Sequence, residues 1–184
     1  MSKTFIEQRV HDVLHGLTAL PKRKDFLFAA TLFVIYSIIV LLIGFSTEVF
    51  TFSLLIPEKA IHYLLPITLI FFPCIPEELF FRGAMLPRKK LNLTISKQLI
   101  YSLGSSVLFV LWHPVNAYLI NYSAIPLFTN IYFLVIVFLL GMVCAITYLQ
   151  SGSLWIPILI HWLTVSSWVF FLGGRNKVLE VFQR

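Results

Sequence analysis

Three charged residues stand together inside an otherwise apolar stretch of the chain: Glu77, Glu78 and Arg82. A charge at membrane depth costs several kcal/mol, so groups of this kind need partners that compensate for the lost water. Glu78 and Arg82 are four residues apart and share one face of a helix, whereas Glu77 points about 100° away from that face. The spacing predicts a buried ion pair beside a free carboxylate that can act as a general base.

Two histidines, His113 and His161, are also embedded in apolar sequence. A carboxylate and two imidazoles can activate a water molecule and stabilise the oxyanion that forms when the water attacks a carbonyl. The same set of one Glu and two His can instead hold a catalytic zinc ion. Two other interpretations stay open: an ion network that only fixes helix packing, and a proton relay in a transporter.

The composition indicates that membrane helices must position these residues. Of the 184 residues, 59% are hydrophobic and 12% are charged, whereas about a quarter are charged in soluble domains. Residues 98–174 include no Asp, Glu, Lys or Arg. Because about 20 apolar residues suffice for a helix to cross a membrane, we expect an all-α, polytopic transmembrane bundle and not a water-soluble domain.

The apolar runs predict about five membrane helices, preceded by an N-terminal amphipathic helix that lies in the membrane interface. Pro73 and Pro76 predict that the second membrane helix is broken and restarts there. The third is expected to stop near Pro114. The alternative to five crossings is that the region from Asn116 to Pro126 contains an additional one. The five predicted spans are residues 26–45, 61–86, 97–113, 128–149 and 154–172.

Three parts of the chain are distinguished by their composition: an interfacial segment at 1–25, a transmembrane domain at 26–174 and a short basic tail at 175–184. The net charge of +6 is compatible with nucleic-acid binding. However, Lys and Arg flank the apolar runs as membrane anchors do, so the expected partner is the lipid bilayer and not nucleic acid. Basic residues before Phe26 and at 88–97 place the N-terminus in the cytoplasm.

Three motifs in order resemble those of the CAAX protease and bacteriocin-processing family, also called Abi or glutamic intramembrane proteases. Glu-Glu-x-x-x-Arg begins at Glu77, Phe-x-x-x-His ends at His113, and the last motif begins at His161. The resemblance implies that Glu77 and His113 activate the attacking water and that His161 helps to bind the oxyanion. It also implies that Glu78 and Arg82 support the site.

The same resemblance implies an intramembrane endopeptidase that hydrolyses a peptide bond of a membrane-associated substrate. It implies no cofactor, and zinc is the alternative. We expect an integral protein of the cytoplasmic membrane of a prokaryote. Prenylated C-termini, bacteriocins and other membrane peptides all stay open as substrates, and the oligomeric state is open as well.

One position departs from the family pattern, because Val165 stands where the last motif has Asn or Asp. An apolar side chain cannot donate to an oxyanion, and the loss of one such donor costs about 100- to 1,000-fold in rate in other enzymes. Either Thr164, Ser166 or Asn116 substitutes for it, or the enzyme is weak or inactive. In the latter case the protein acts as an immunity or partner-binding membrane protein.

Overall fold

The computed structural model describes residues 4–55, 63–87 and 93–174, and its regular elements there are helices. The predicted all-α class is confirmed. A 3-10 turn at Tyr122–Ala124 precedes α6, and π-type turns at Ile70–Cys74 and Leu79–Ala84 flank α4. The α-helices are α1 Phe5–Thr18, α2 Arg23–Ser46, α3 Leu65–Leu69, α4 Ile75–Glu78, α5 Ile95–Leu119, α6 Ile125–Phe128, α7 Ile131–Ser151 and α8 Trp155–Phe171.

Three of these helices are long and apolar enough to cross a membrane: α2 with 24 residues, α5 with 25 and α7 with 21. Helix α8 is also apolar but has 17 residues. The structure therefore confirms the predicted bundle of membrane helices. The prediction of five crossings includes these three helices, the shorter α8 and the broken segment from α3 to Ala84.

The second predicted membrane helix is broken, as its prolines predict. Phe72 has extended backbone angles, with φ −152° and ψ 119°, between α3 and α4. Pro76 occupies the first turn of α4, where the missing N–H leaves no intrahelical hydrogen bond unmade. Because the helix restarts here, Glu77 and Glu78 stand in its first turn.

The prediction that the third membrane helix stops near Pro114 is wrong, because α5 continues through this residue to Leu119. A proline removes one intrahelical hydrogen bond, but ending the helix in an apolar environment would leave several backbone groups without partners. Asn116 therefore lies within α5, about one turn after His113.

The connection from α5 to α7 is too short to contain an additional crossing, since its regular parts are one 3-10 turn and the short α6. Helix α7 begins slightly later than the predicted residue 128. The reason is a helix cap at Asn130, whose side-chain oxygen accepts from the amides of Tyr132 and Phe133 at 2.9 and 3.2 Å.

Helix α7 lies at the centre of the bundle and packs against α2, α5 and α8. Its contact with α5 is close at Gly141, where an added Cβ would lie 3.0 Å from both Cβ and Oγ of Ser106. The absence of a side chain at Gly141 thus allows the two helices to approach. It also leaves the Gly141 carbonyl accessible to the neighbouring segment that carries Arg82.

The N-terminal helix α1 is amphipathic and also docks on the bundle. The Gly16 carbonyl accepts a hydrogen bond from the Leu154 amide at 2.9 Å, and the Leu17 carbonyl accepts one from Trp155 Nε1 at 2.8 Å. Helix α1 is thus fixed to the beginning of α8. Its outer face has the exposed apolar side chains that an interfacial helix needs, and these are Phe5, Ile6, Val10 and Leu14.

The loop after α2 runs beside the end of α8. Phe50 at its beginning is buried in the bundle. Alternate amides of the loop donate to consecutive carbonyls at the end of α8, with N···O distances of 3.3, 3.1 and 2.9 Å for Thr51 to Leu172, Ser53 to Phe171 and Leu55 to Phe170.

Residues 56–62, 88–92 and 175–184 lie outside the described residues. They include the basic tail and most of the basic cluster at 88–97 on which the sidedness prediction depends. The predicted sidedness and the predicted division into three parts therefore stay predictions.

Candidate active site

Glu78, Arg82 and His161 form a buried cluster. Arg82 Nη1 lies 3.0 Å from Glu78 Oε1, and His161 Nδ1 lies 2.8 Å from the same oxygen. Glu78 and Arg82 are completely buried. The ion pair that the four-residue spacing predicts is present, and it is joined by a histidine from α8.

The guanidinium of Arg82 has further partners on two other helices. Its Nη2 donates to the carbonyl of Gly141 at 3.2 Å. Its central carbon lies 4.5 Å from the centre of the Phe109 ring, and a desolvated cation over an aromatic ring is stabilised by about 2 kcal/mol. Arg82 thereby connects α5 and α7 to the segment that carries both glutamates.

Glu77 points away from this pair, as its place on the helix predicts. One carboxylate oxygen, Oε1, accepts a hydrogen bond from Trp112 Nε1 at 3.1 Å. The other, Oε2, lies 3.8 Å from His161 Nε2, and the side chain is 15% exposed. The carboxylate is therefore held by an indole on one side while its second oxygen is accessible.

His113 is oriented by its own helix and by aromatic rings. Its Nδ1 lies 2.9 Å from the carbonyl oxygen of Phe109. Since a carbonyl oxygen only accepts, Nδ1 carries a proton and Nε2 of the neutral ring is an acceptor. The rings of Phe109, Phe128 and Phe133 lie 5.0, 5.0 and 6.0 Å from the imidazole.

These residues meet at one cavity of about 540 Å³, which is lined mainly by aromatic and aliphatic side chains. Its volume falls within the range of about 300–1,000 Å³ that is typical of ligand sites. Glu78 and Arg82 lie behind its wall. The predicted site residues that line the cavity are Glu77, His113, Asn116 and His161.

The departure from the family pattern lies at the cavity itself, because Val165 is part of the wall. Two of the three proposed substitutes, Thr164 and Asn116, line the cavity as well. The Thr164 hydroxyl donates to the carbonyl of Ile160 at 2.9 Å, so its only proton is already used. Ser166 is not among the described lining residues.

Not all polar residues at the cavity are singled out by the sequence reasoning, and Trp112 and Tyr36 are two that it misses. Trp112 precedes His113 inside the Phe-x-x-x-His motif, and this adjacency is a signal in the sequence that Trp112 lies at the site. Tyr36 on α2 also lines the cavity, and its hydroxyl interacts with that of Thr164 on α8. No local pattern points to Tyr36, because its partner lies far along the chain.

A metal site was the other interpretation of the Glu and His residues. Among the described residues, no group of three or more His, Cys, Asp or Glu side chains is arranged to hold a metal ion. Both histidines use Nδ1 for hydrogen bonds, to Phe109 and to Glu78.

Comparison with known families agrees with the geometry. The type II CAAX prenyl endopeptidase Rce1-like family matches residues 59–167, more than half of the chain. The match contains the glutamates, the arginine and both histidines of the site. Comparisons with curated proteins and with solved structures gave no match. The chain is thus an integral membrane protein that belongs to the type II CAAX prenyl endopeptidase Rce1-like family.

Proposed function

We propose that the protein is an intramembrane endopeptidase that hydrolyses a membrane-associated peptide with water activated by Glu77 and His113. The position of Glu77 supports this most. Trp112 holds one oxygen of its carboxylate, while the other faces the cavity and lies 3.8 Å from His161 Nε2. A fixed carboxylate with one accessible oxygen is suited to accept a proton from water.

The charges favour one additional proton in the space between Glu77 and His161. If both glutamates are ionised and Arg82 is charged, the cluster has one net negative charge when His161 is neutral and none when it is protonated. An apolar environment disfavours the net charge. In this proposal the additional proton is on Nε2 of His161, because Nδ1 donates to Glu78, and it faces Glu77. Glu77 is then the base and His161 a hydrogen-bond donor.

Hydrolysis follows from these roles. Glu77 accepts a proton from water as the water oxygen bonds to the carbonyl carbon, and the electrons of the C=O double bond move to the carbonyl oxygen. The N–H at His161 Nε2 stabilises this oxyanion. When the C–N bond breaks, the proton on Glu77 passes to the leaving nitrogen, which gives a carboxylic acid and an amine.

His113 orients the water in this proposal. Its Nε2 is an acceptor for one water proton, because Nδ1 donates to the Phe109 carbonyl. The three surrounding aromatic rings limit the rotation of the imidazole. Such positioning of a reactant supplies part of the rate enhancement by itself.

The substrate in this proposal is a peptide held in or at the membrane, since the cavity wall is mainly apolar. The family description names CAAX prenyl endopeptidases, so a farnesylated C-terminal peptide is the first substrate to test. We also propose the cytoplasmic membrane of a prokaryote as the location, with the N-terminus in the cytoplasm and no cofactor.

The full chain, reconstituted in liposomes, tests the proposal with a fluorogenic farnesylated peptide and its unprenylated counterpart. We expect Glu77→Gln to lower kcat by at least about 100-fold, the contribution of a positioned base, and His113→Ala and His161→Ala to abolish cleavage. Glu7→Gln is the matched control, because it makes the same chemical change on the exposed face of α1. Retained cleavage in Glu77→Gln would refute the mechanism.

A zinc-dependent form of the mechanism is separated by two measurements on the same preparation. A chelator stops a zinc enzyme, and metal analysis then finds about one ion per chain. Full activity after chelation, with metal far below that ratio, supports the form without a cofactor.

The presence of Val165 in the cavity wall favours a second candidate function. A family member without full oxyanion stabilisation can serve as an immunity or partner-binding membrane protein. Under this alternative the Glu77→Gln substitution leaves the cellular phenotype unchanged, although the protein still accumulates in the membrane. Loss of the phenotype in Glu77→Gln argues for catalysis.

A further inference from the structure

Several hydrogen-bond donors at the cavity are already used by protein acceptors. The Trp112 indole donates to Glu77, and the Thr164 hydroxyl donates to the Ile160 carbonyl. Nδ1 of His161 and Nδ1 of His113 are used in the same way. A substrate carbonyl in the cavity can therefore be bound only by donors that have no such partner.

The hydroxyl of Tyr36 is such a donor. Tyr36 is 4% exposed, and its hydroxyl makes no hydrogen bond of good geometry with the described residues. It lies near the Thr164 hydroxyl, whose own proton is donated to the Ile160 carbonyl. A buried donor without a well-made hydrogen bond is destabilising. The phenol therefore forms a favourable hydrogen bond when an acceptor enters the cavity.

The position of Tyr36 matches the missing donor. Thr164 and Val165 are adjacent on α8, and both line the cavity together with Tyr36. The interaction with Thr164 brings the phenol from α2 to the turn of α8 where Val165 offers no donor. Tyr36 lies outside the residues 59–167 that match the family.

We propose that the Tyr36 hydroxyl is a catalytic oxyanion donor, which acts together with His161 and takes the place of the polar side chain absent at Val165. This inference rests on the proposed endopeptidase function. A phenol is a suitable donor because its ring is fixed by packing, here against Phe33 at a centroid distance of 6.1 Å. Only the hydroxyl rotor must turn when the oxyanion forms.

The Tyr36→Phe variant removes the donor and keeps the ring. We expect kcat for the farnesylated peptide to fall by about 100- to 1,000-fold with KM unchanged, because the bond forms mainly in the transition state. The melting temperature stays equal or rises, whereas a purely structural role for the hydroxyl would lower it. Tyr101→Phe is the matched control, since Tyr101 is an exposed tyrosine of α5.

A second variant tests the link to Val165. In the Tyr36→Phe background, Val165→Asn restores a donor at the position where the family has Asn or Asp. We expect kcat of this double variant to be at least about tenfold higher than that of Tyr36→Phe. Asn116→Leu and Trp168→Phe remove two other candidate donors at the cavity. A loss of kcat in either of these with none in Tyr36→Phe would assign the donor elsewhere and overturn the proposal.

Binding of a farnesylated peptide aldehyde gives a readout that does not need turnover, since its hydrate resembles the tetrahedral intermediate. We expect Tyr36→Phe to weaken aldehyde binding at least about tenfold and to leave binding of the matched amide unchanged. Equal aldehyde affinity in both proteins overturns the role of Tyr36. If Glu77→Gln abolishes cleavage but Tyr36→Phe has wild-type kcat, only this inference fails. A wild-type protein that neither cleaves the peptide nor prefers the aldehyde overturns the proposed function as well.

Discussion

The Arg82→Met substitution tests whether the ion pair of Glu78 and Arg82 is excluded from water, as its burial indicates. Both side chains are completely buried, and their N···O distance is 3.0 Å. The loss of one partner leaves a buried carboxylate without its cation, which costs about 3–5 kcal/mol in other proteins. The bonds to the Gly141 carbonyl and the Phe109 ring are lost as well. We therefore expect the free energy of unfolding to fall by about 3–5 kcal/mol.

The free energy of unfolding can be measured by titration with SDS in mixed micelles. Lys97→Met is the control, because Lys97 is an exposed cation on α5. Substitution of an exposed charge of this kind changes the free energy of unfolding by about 1 kcal/mol or less. Adding Glu78→Gln to Arg82→Met removes the unpaired charge and should recover part of the loss. A loss of less than about 1 kcal/mol in Arg82→Met, similar to that in Lys97→Met, would show that water reaches the cluster and would refute the reasoning.

Two further predictions concern Trp112 and Gly141. Trp112→Phe removes the indole donor from Glu77 and should lower kcat about tenfold in the peptide assay, since one hydrogen bond to a charged group contributes about 1.5–3 kcal/mol. An unchanged kcat would mean that this bond does not position the base. Gly141→Ala should destabilise the protein by about 1–3 kcal/mol in the SDS titration, because the new Cβ lies 3.0 Å from Ser106. Gly104→Ala is its control, since an added Cβ there has no neighbour within 4 Å, and equal effects of the two variants would contradict the packing argument.

Local features of the sequence were sufficient to predict part of the site. The four-residue spacing of Glu78 and Arg82 fixes their common helix face, and the structure has the expected pair. The restart at Pro76 was also predictable, because proline has a well-defined effect on the backbone at that point. These predictions depend on interactions within one or two helical turns.

Long-range contacts were not predictable in the same way. The end of α5 was predicted wrongly because the effect of Pro114 depends on the apolar environment of the helix and not on the local sequence. The bond from Trp112 to Glu77 and the approach of Tyr36 to Thr164 join distant parts of the chain. Such contacts follow from how the helices pack, which a single sequence does not specify.

The loop after α2 has a consequence for how the last helix fits the membrane. With 17 residues, α8 is about 25 Å long at 1.5 Å per residue, which is shorter than a hydrocarbon layer of about 30 Å. Its terminal carbonyls would then face lipid, where water cannot satisfy them. The amides of Thr51, Ser53 and Leu55 do so instead. The loop therefore provides the hydrogen bonds that the end of α8 would otherwise lack. For this reason the length of α8 does not have to match the full thickness of the bilayer.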